Sequence, residues 1–219
     1  MNPFLTGLGR RTLRLITEYP TPQELAAKIQ AIENAWPYQD EKRKYFFVTR
    51  DKALASILYI ACLRISEARR LVIGQFKGSE SARDPFRLVA IKLSKAEKRD
   101  SKTGKIITRK DLYRKEFRFP RKGQRAFFTR NITDYLTLLT ENQKNNDETR
   151  LFNLTNGRID QIIKNMLGVP PHWLRAYGEN YLYGLWDNDL IAVANYVQVD
   201  PRTLSLYIHR TPEKYLKRE

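Results

Sequence analysis

The sequence predicts a mostly α-helical domain with a small antiparallel β-sheet at one edge, an α+β fold class. Helix-start residues and apolar stripes at helical spacing recur in the first third of the chain and again after Pro120. Between these regions, residues 86–93 and 112–119 resemble strands, and a polar, Lys-rich connection joins them as in a long β-hairpin. With 219 residues, 42% of them apolar, the chain is long enough for one domain with a substantial core. We expect an N-terminal arm over residues 1–20 and a single domain over residues 21–219.

Capping residues mark the start of two helices. Thr21 is placed to cap the first helix, with Pro22 and Glu24 at the positions that favour a helix start. Asp200 followed by Pro201 predicts the start of a short last helix in the same way.

Apolar spacing predicts the helices between them. A second helix is expected to open at Thr49 or Arg50 and to run through the stretch at 53–63, which is apolar nearly all round and therefore central to the core. Ser66 is the expected N-cap of a short third helix that ends near residues 73–74. The remaining predicted helices cover 129–140, 155–167, a segment from Pro171, and a segment from Asp187 or Asn188 through Val197.

Residue counts exclude several classes of function. Cys62 is the only cysteine, and His172 and His209 are the only histidines, so an internal disulfide, a cysteine-based zinc site and a His-rich metal site are excluded. No glycine-rich nucleotide-binding motif is present. The longest apolar run, at 53–63, has about half the length of a membrane span. We therefore expect no metal, no cofactor, no membrane partner and a cytoplasmic setting.

Positive charge is concentrated in the hairpin region. The chain carries a formal net charge of +16, and residues 92–125 contain fourteen basic and four acidic residues, which leaves +10 in this segment. So local an excess favours a polyanionic partner, in the first place double-stranded DNA, over a merely solvated hairpin. The hairpin residues expected to contact DNA phosphates are Lys92, Lys98, Arg99, Lys102 and Lys105.

Four separated segments resemble the tyrosine recombinase, or phage integrase, family. Residues 61–67, ACLRISE, resemble the box that carries the family's first catalytic arginine. The strand–hairpin–strand unit lies where the family places a catalytic lysine. PHWLR at 171–175 resembles the HxLR box, and LYIH at 206–209 resembles the sequence around the nucleophilic tyrosine. RLFNL at 150–154 also resembles the family's lead into the following helix. The order of the segments is that of the family.

The resemblance implies a function and a fold. The fold is that of the DNA breaking–rejoining enzymes, and the function is site-specific DNA recombination or DNA integration through a covalent 3′-phosphotyrosyl intermediate. Tyr207 is then the nucleophile, Arg64 and Arg175 stabilise the phosphate oxygens, His172 assists proton movement, and Lys95 protonates the leaving group. The partners implied are double-stranded DNA, near the nucleoid, and further copies of the chain, as a tetramer on DNA built from a possible monomer in solution.

The chemistry of these residue types supports the same assignment. A guanidinium donates two parallel hydrogen bonds to a phosphate, so two arginines such as Arg64 and Arg175 suit both non-bridging oxygens. His172 lies three residues before Arg175, on the same face of the predicted helix, near its N-terminus, where an anion is favoured. Preorganised donors of this kind contribute a few kcal/mol each in a transition state.

The sequence departs from the family pattern in two places. Gln198 occupies the position where the family has His or Trp; its amide can donate a hydrogen bond to a phosphate oxygen but carries no charge. Residues 1–43 are too few for the family's complete N-terminal core-binding domain, so the chain is expected to be either an excised catalytic domain or a minimal protein that relies on a partner. Glu67 is expected to orient the arginine or the histidine.

Several alternatives stay open. Lys98 competes with Lys95 for the leaving-group role, and Tyr196 and Tyr215 compete with Tyr207. Arg64 can instead be a structural ion-pair partner of Glu67, and His172 a capping or core residue. At the level of function, the alternatives are a type IB topoisomerase-like or telomere-resolving enzyme, which shares the chemistry, and a catalytically weakened DNA-binding protein of the same fold.

Overall fold

In the computed structural model of the protein, the described residues are 20–34, 40–78, 86–92, 97–99, 103, 106–108, 113–141, 146–205 and 208. The helices are α1 (Pro22–Gln30), α2 (Glu41–Ile60), α3 (Ile65–Ala68), α4 (Ala126–Thr140), α5 (Asn156–Leu167), α6 (Pro171–Leu185), α7 (Leu190–Val197) and α8 (Pro201–Leu204). Two 3-10 turns cover Ala31–Asn34 and Ile73–Gln75. The strands are β1 (Phe76–Lys77), β2 (Arg87–Lys92), β3 (Glu97–Arg99), β4 (Ile106–Thr108) and β5 (Tyr113–Arg118). The predicted α+β class is confirmed. Of the predicted arm, Pro20 alone is described.

The sheet lies between the two groups of helices along the chain. Strands β1, β2 and β5 form an antiparallel sheet in that order, in which Leu88 of β2 pairs with Phe117 of β5. The short strands β3 and β4 form a second antiparallel ladder, in the basic connection between β2 and β5. The two strands predicted over 86–93 and 112–119 are therefore confirmed, each slightly shorter than predicted.

Strand β2 does not alternate regularly: two of its residues, three positions apart, both lie in the core. Ala90 has a φ of 52°, in the left-handed region, and its carbonyl accepts a hydrogen bond from the Gln75 side-chain amide at 2.8 Å. Leu88 and Ile91 are both fully buried although a regular strand would point them to opposite faces. Nothing in the local preferences of alanine predicts this conformation, which the surrounding contacts impose.

Helix α2 forms the centre of the core, as its composition predicts. Residues 48–60 are all buried, and the helix packs against α4 and α6, with the rings of Tyr59 and Phe128 4.7 Å apart. The predicted start at Thr49 or Arg50 is wrong. The helix begins at Glu41, because the Asp40 carboxylate accepts hydrogen bonds from the backbone N–H groups of the first turn. The first turn, residues 41–44, is charged and lacks the apolar signal on which the prediction relied.

The third helix is shorter than predicted and begins differently. Arg64, not Ser66, is its N-cap residue, since the Glu67 side chain reaches back to accept the Arg64 backbone N–H at 2.8 Å. The helix ends at Ala68, and residues 73–75 form a separate 3-10 turn. The Glu67 side chain is therefore hydrogen-bonded to the backbone of Arg64, at the start of this helix.

The C-terminal helices match their predicted order; α6 begins at Pro171 as predicted, whereas the starts of α4 and α7 are shifted. Helix α4 begins at Ala126, three residues before the predicted Thr129. Helix α7 begins after Asp189, whose carboxylate caps it, because Asp187 and Asn188 both have positive φ and cannot belong to the helix. Thr155 caps α5 and Asp200 caps α8, the latter as predicted. No helix within the described ranges is long and apolar enough to cross a membrane.

Candidate active site

The end of α2 positions the first candidate arginine. Cys62, with a φ of 51°, turns the chain out of α2, and Arg64 follows at the start of α3. The Arg64 Nη1 atom lies 3.0 Å from Glu67 Oε1, while Glu67 Oε2 accepts the Arg64 backbone N–H. The Arg64 side chain is 34% exposed, whereas that of Glu67 is 2% exposed. The buried Glu67 carboxylate thus holds Arg64, whose side chain extends to the surface.

Helix α6 brings the second candidate arginine to the same carboxylate. Arg175 Nη1 lies 3.6 Å from Glu67 Oε2, and Arg175 Nε donates a 2.6 Å hydrogen bond to Oε1 of Glu179, one turn further along α6. Glu67 therefore contacts both Arg64 and Arg175. The two arginines, far apart in the sequence, thus share one buried carboxylate.

A close approach of two helices makes this meeting possible. A Cβ atom on Gly178 would lie 2.1 Å from the Tyr59 carbonyl oxygen and 2.7 Å from Cys62 Sγ, so glycine at this position lets α6 lie directly on the end of α2. Arg175 precedes Gly178 by about one turn of α6. The absence of one methyl group on α6 therefore sets how near Arg175 comes to the segment that carries Arg64 and Glu67.

Arg125 stabilises the same contact between α2 and α6. Arg125, just before α4, donates from Nη2 to the Ile60 carbonyl at 2.9 Å, and its guanidinium lies 5.0 Å from the ring centroid of Tyr181 on α6. The last carbonyl groups of α2 are thereby partly satisfied while α6 is held against them.

The guanidinium of Arg175 retains unused hydrogen-bond donors. Its Nη1 and Nη2 atoms are buried and have no hydrogen-bond partner among the described residues, since the 3.6 Å separation from Glu67 is an ion pair too long for a hydrogen bond. Leaving a buried charged donor unpaired costs free energy. Two parallel donors on one guanidinium match two oxygens of a phosphate group, which would satisfy both.

Glu179, the second carboxylate beside Arg175, is buried. Burial raises the pKa of Glu179 above its ordinary value, and the adjacent Arg175 guanidinium opposes this shift. Arg64 also lowers the pKa of Glu179, whereas the charge of Glu67 raises it. The four side chains, Arg64, Glu67, Arg175 and Glu179, are called the arginine cluster below.

His172 lies at the start of α6, one turn before Arg175. The residue is exposed, yet desolvation of its ring lowers the imidazole pKa; Lys164 lowers it further and Asp160 opposes the change. The ring is therefore predominantly neutral at neutral pH and able to accept a proton. The capping role weighed as an alternative is not what the structure shows, because the N-cap residue of α6 is Pro170.

The structure gives positions for the other predicted residues only in part. Lys95, Lys102, Lys105 and Tyr207 lie outside the described residues, as do the competing Tyr215 and the LYIH box, apart from its Ile208. Lys92 ends β2, and Lys98 and Arg99 belong to β3; these three are placed by their backbone alone. The structure consequently does not choose between Lys95 and Lys98. Of the last short helix, on which the sequence predicts Tyr207 to lie, the structure describes Pro201–Leu204.

Two residues near the predicted nucleophile are described. Gln198 is the C-cap of α7, with a φ of 55°, and its side-chain amide donates a 2.7 Å hydrogen bond to the Asn195 carbonyl of its own helix. The ring of Tyr196 lies 6.0 Å from that of Phe117 and 5.1 Å from that of Trp186. Tyr196 is thus half-buried in an aromatic group, a packing role that accounts for it without catalysis.

Sequence analysis missed two residues of this site. Glu179 has a detectable signal, because an acid four residues after Arg175 on a helix predicts an ion pair. Gly178 has a weaker one, since an isolated glycine inside a helical pattern indicates a packing reason without naming the partner. Among the described residues, no group of three His, Cys, Asp or Glu side chains could hold a metal ion.

Comparisons of this chain with protein-family models, with curated proteins and with solved structures found no match. The geometry of the arginine cluster is therefore the main structural argument for a function.

Proposed function

We propose that this protein is the catalytic domain of a tyrosine-type DNA strand transferase, a site-specific recombinase or integrase that cuts and rejoins DNA. The observation that carries the proposal is the contact of one buried carboxylate, Glu67, with both Arg64 and Arg175. These are the two arginines that the family resemblance assigns to the scissile phosphate. The unpaired donors of Arg175 support a phosphodiester as the group that completes the site.

The proposed reaction needs no external energy source. The Tyr207 oxygen attacks the phosphorus, its proton passes to His172, and the bond from phosphorus to the 5′-oxygen breaks, with Lys95 supplying the proton that makes a free 5′-hydroxyl. The products are a 3′-phosphotyrosyl link and that hydroxyl. Attack by a 5′-hydroxyl on the link reverses each proton transfer and restores a phosphodiester. Arg64 and Arg175 stabilise the charge on the non-bridging oxygens throughout.

His172, Glu67 and the basic segment each support a part of this scheme. The lowered pKa of His172 favours the neutral ring that accepts a proton from a tyrosine whose own pKa is about 10 in water. Glu67 holds Arg64 in place by two contacts, through the side chain and through the backbone. The basic segment between β2 and β5 supplies positive charge for the DNA backbone. A tetramer of this chain on DNA completes the proposal.

The test is covalent capture. The wild-type protein is incubated with a pool of nicked random-sequence duplexes, and SDS-resistant protein–DNA species are isolated and amplified. We expect Tyr207→Phe to bind DNA normally and to form no adduct, because the ring remains and only the attacking oxygen is lost. Tyr196→Phe is the matched control: it removes a hydroxyl and keeps the ring that packs on Phe117 and Trp186, so it should form the adduct. Tyr215→Phe should do so as well.

Three results would contradict the proposal. The first is that the wild type captures no member of the pool, and the second is that Tyr207→Phe captures what the wild type captures. The third is that peptide mapping places the DNA on another tyrosine. Gln198→His, which restores the family's usual donor, is expected to keep or raise the yield of adduct.

A DNA-binding protein without catalysis is the second candidate. The observation that favours it is the Gln198 amide, which is engaged by its own helix end and carries no charge. This candidate predicts DNA binding that weakens steeply with salt, by roughly 0.9 in log–log slope for each phosphate contacted, without any adduct. The strand transferase predicts the same salt dependence together with the adduct, so the capture experiment separates the two.

A further inference from the structure

We propose that Glu179 is a positioning residue of the arginine cluster: it holds Arg175 by its Nε edge, so that the terminal Nη1 and Nη2 donors face an incoming phosphodiester. This inference rests on the proposed function and adds a residue that the family resemblance does not name. Neither the HxLR box nor the arginine boxes include position 179.

The geometry distinguishes Glu179 from Glu67. Glu179 Oε1 accepts the only hydrogen bond that the Arg175 side chain donates within the described part of the chain, at 2.6 Å from Nε. Glu67 lies on the Nη1 side at 3.6 Å and is already bonded to Arg64. Because a guanidinium is planar and rigid, fixing its Nε edge fixes the direction of its terminal edge. Glu179 therefore orients the guanidinium of Arg175, and Glu67 contributes a negative charge beside it.

The charges around Glu179 give this role a measurable signature. Within the described residues, the charged groups that act on it are Arg175 on its own helix, and Arg64 and Glu67 on the α3 segment. Two carboxylates balance two guanidinium groups, so an added phosphodiester leaves the cluster with one excess negative charge. Uptake of a proton by Glu179 would cancel that excess. Burial already raises the pKa of Glu179, so phosphodiester binding should strengthen as the pH falls.

The experiment uses dimethyl phosphate, a phosphodiester whose own charge stays constant over the range tested. Its binding to the full chain is followed by the Nε–H NMR signal of Arg175, identified by its loss in Arg175→Lys, at neutral and at mildly acidic pH. Glu179→Gln keeps an oxygen acceptor for Nε and removes the charge, whereas Glu179→Ala removes both. Glu148→Gln, at an exposed position, is the control for the loss of one carboxylate.

We expect wild-type binding to strengthen toward acidic pH. Glu179→Gln should keep the Arg175 signal, lose this pH dependence, and bind dimethyl phosphate several-fold more tightly at neutral pH, because a nearby negative charge no longer repels the phosphodiester. Glu179→Ala should shift the signal and weaken binding about tenfold, since one charge-assisted hydrogen bond no longer orients the fork. Glu148→Gln should match the wild type.

The outcomes separate this inference from the proposed function. If dimethyl phosphate shifts the Arg175 signal of the wild type, but Glu179→Gln retains the wild-type pH dependence, the role of Glu179 is wrong and the proposed function stands. The same holds if Glu179→Ala binds as the wild type does. If neither dimethyl phosphate nor a short random-sequence duplex moves the signal in the folded wild type, both fail. Should Glu179→Ala not fold, Glu179→Gln decides by its pH dependence.

Discussion

Two buried arginine–carboxylate groups lie on different parts of this molecule, and they differ in the atoms left without a partner. In α2, Arg50 Nε donates to Asp51 Oδ1 at 2.8 Å, and the guanidinium lies 4.7 Å from the centroid of the Phe47 ring. There the buried atom that has no hydrogen-bond partner in the described part of the chain is a carboxylate oxygen, Asp51 Oδ2. In the arginine cluster the corresponding atoms are the Nη1 and Nη2 donors of Arg175.

This difference indicates what each group can take up. An unpaired buried carboxylate oxygen is relieved by a proton, and burial raises the pKa of Asp51 accordingly, against the opposing effects of Arg50 and Arg158. Unpaired guanidinium donors cannot be relieved by losing a proton, because arginine stays charged in proteins. They require an acceptor. The first group is consequently a structural pair whose carboxylate favours a proton, whereas the second is the group that binds an anion in the function we propose.

The largest expected effect comes from removing the shared carboxylate. Glu67→Ala should lower the free energy of unfolding by about 3–5 kcal/mol, because it takes the buried counter-charge from two guanidinium groups at once. Urea unfolding monitored by circular dichroism measures it. Glu148→Ala, at an exposed site, should change the stability by less than about 0.5 kcal/mol. If Asp51→Ala proves as costly as Glu67→Ala, contact with two guanidinium groups does not give Glu67 a larger effect on stability.

A smaller effect is expected at the helix contact that builds the cluster. Gly178→Ala should destabilise the protein by about 3 kcal/mol, because the added methyl group would meet the Tyr59 carbonyl, which is backbone and cannot rotate away. It should also shift the Arg175 Nε–H signal and leave that of Arg50 unchanged. The matched control is Gly157→Ala, also on a helix, where a Cβ meets nothing within 4 Å; a gain of about 0.5 kcal/mol is expected there. Equal effects of the two substitutions would contradict the role given to Gly178.

The smallest effect concerns pH and the α2 pair. Because the pKa of Asp51 is raised in the folded state, the folded protein binds this proton more tightly than the unfolded chain does. Stability from this group is then complete below the ordinary pKa and is lost as the pH rises through the folded value. Asp51→Asn removes this dependence, so its stability relative to the wild type should improve from acidic to neutral pH. Unfolding curves at several pH values measure the trend, and a relative stability that falls toward neutral pH would contradict it.

Local sequence was sufficient for part of the fold. The capping box at Thr21 and Glu24 and the Asp200 cap are formed as predicted, because each depends on residues within one turn. The strands β2 and β5 were predictable from the residue patterns of the two segments and from the polar connection between them. The start of α2 was not, because its charged first turn shows no apolar face. The positive φ of Ala90 was not either, because alanine has no preference for that region and the Gln75 contact lies far along the chain.

The sequence by itself determined which side chains are available and in what order: Arg64 with Glu67 three residues later, and His172 with Arg175 on one helical face. It also determined the positive charge of the hairpin segment. Only the tertiary structure decided that Glu67 contacts both Arg64 and Arg175, and that Glu179 accepts the hydrogen bond from Nε. It also decided that Nη1 and Nη2 have no hydrogen-bond partner among the described residues. The reason is physical. Pairing and burial depend on how closely α6 packs on the end of α2 at Gly178, and this distance is set by contacts between segments remote in the chain.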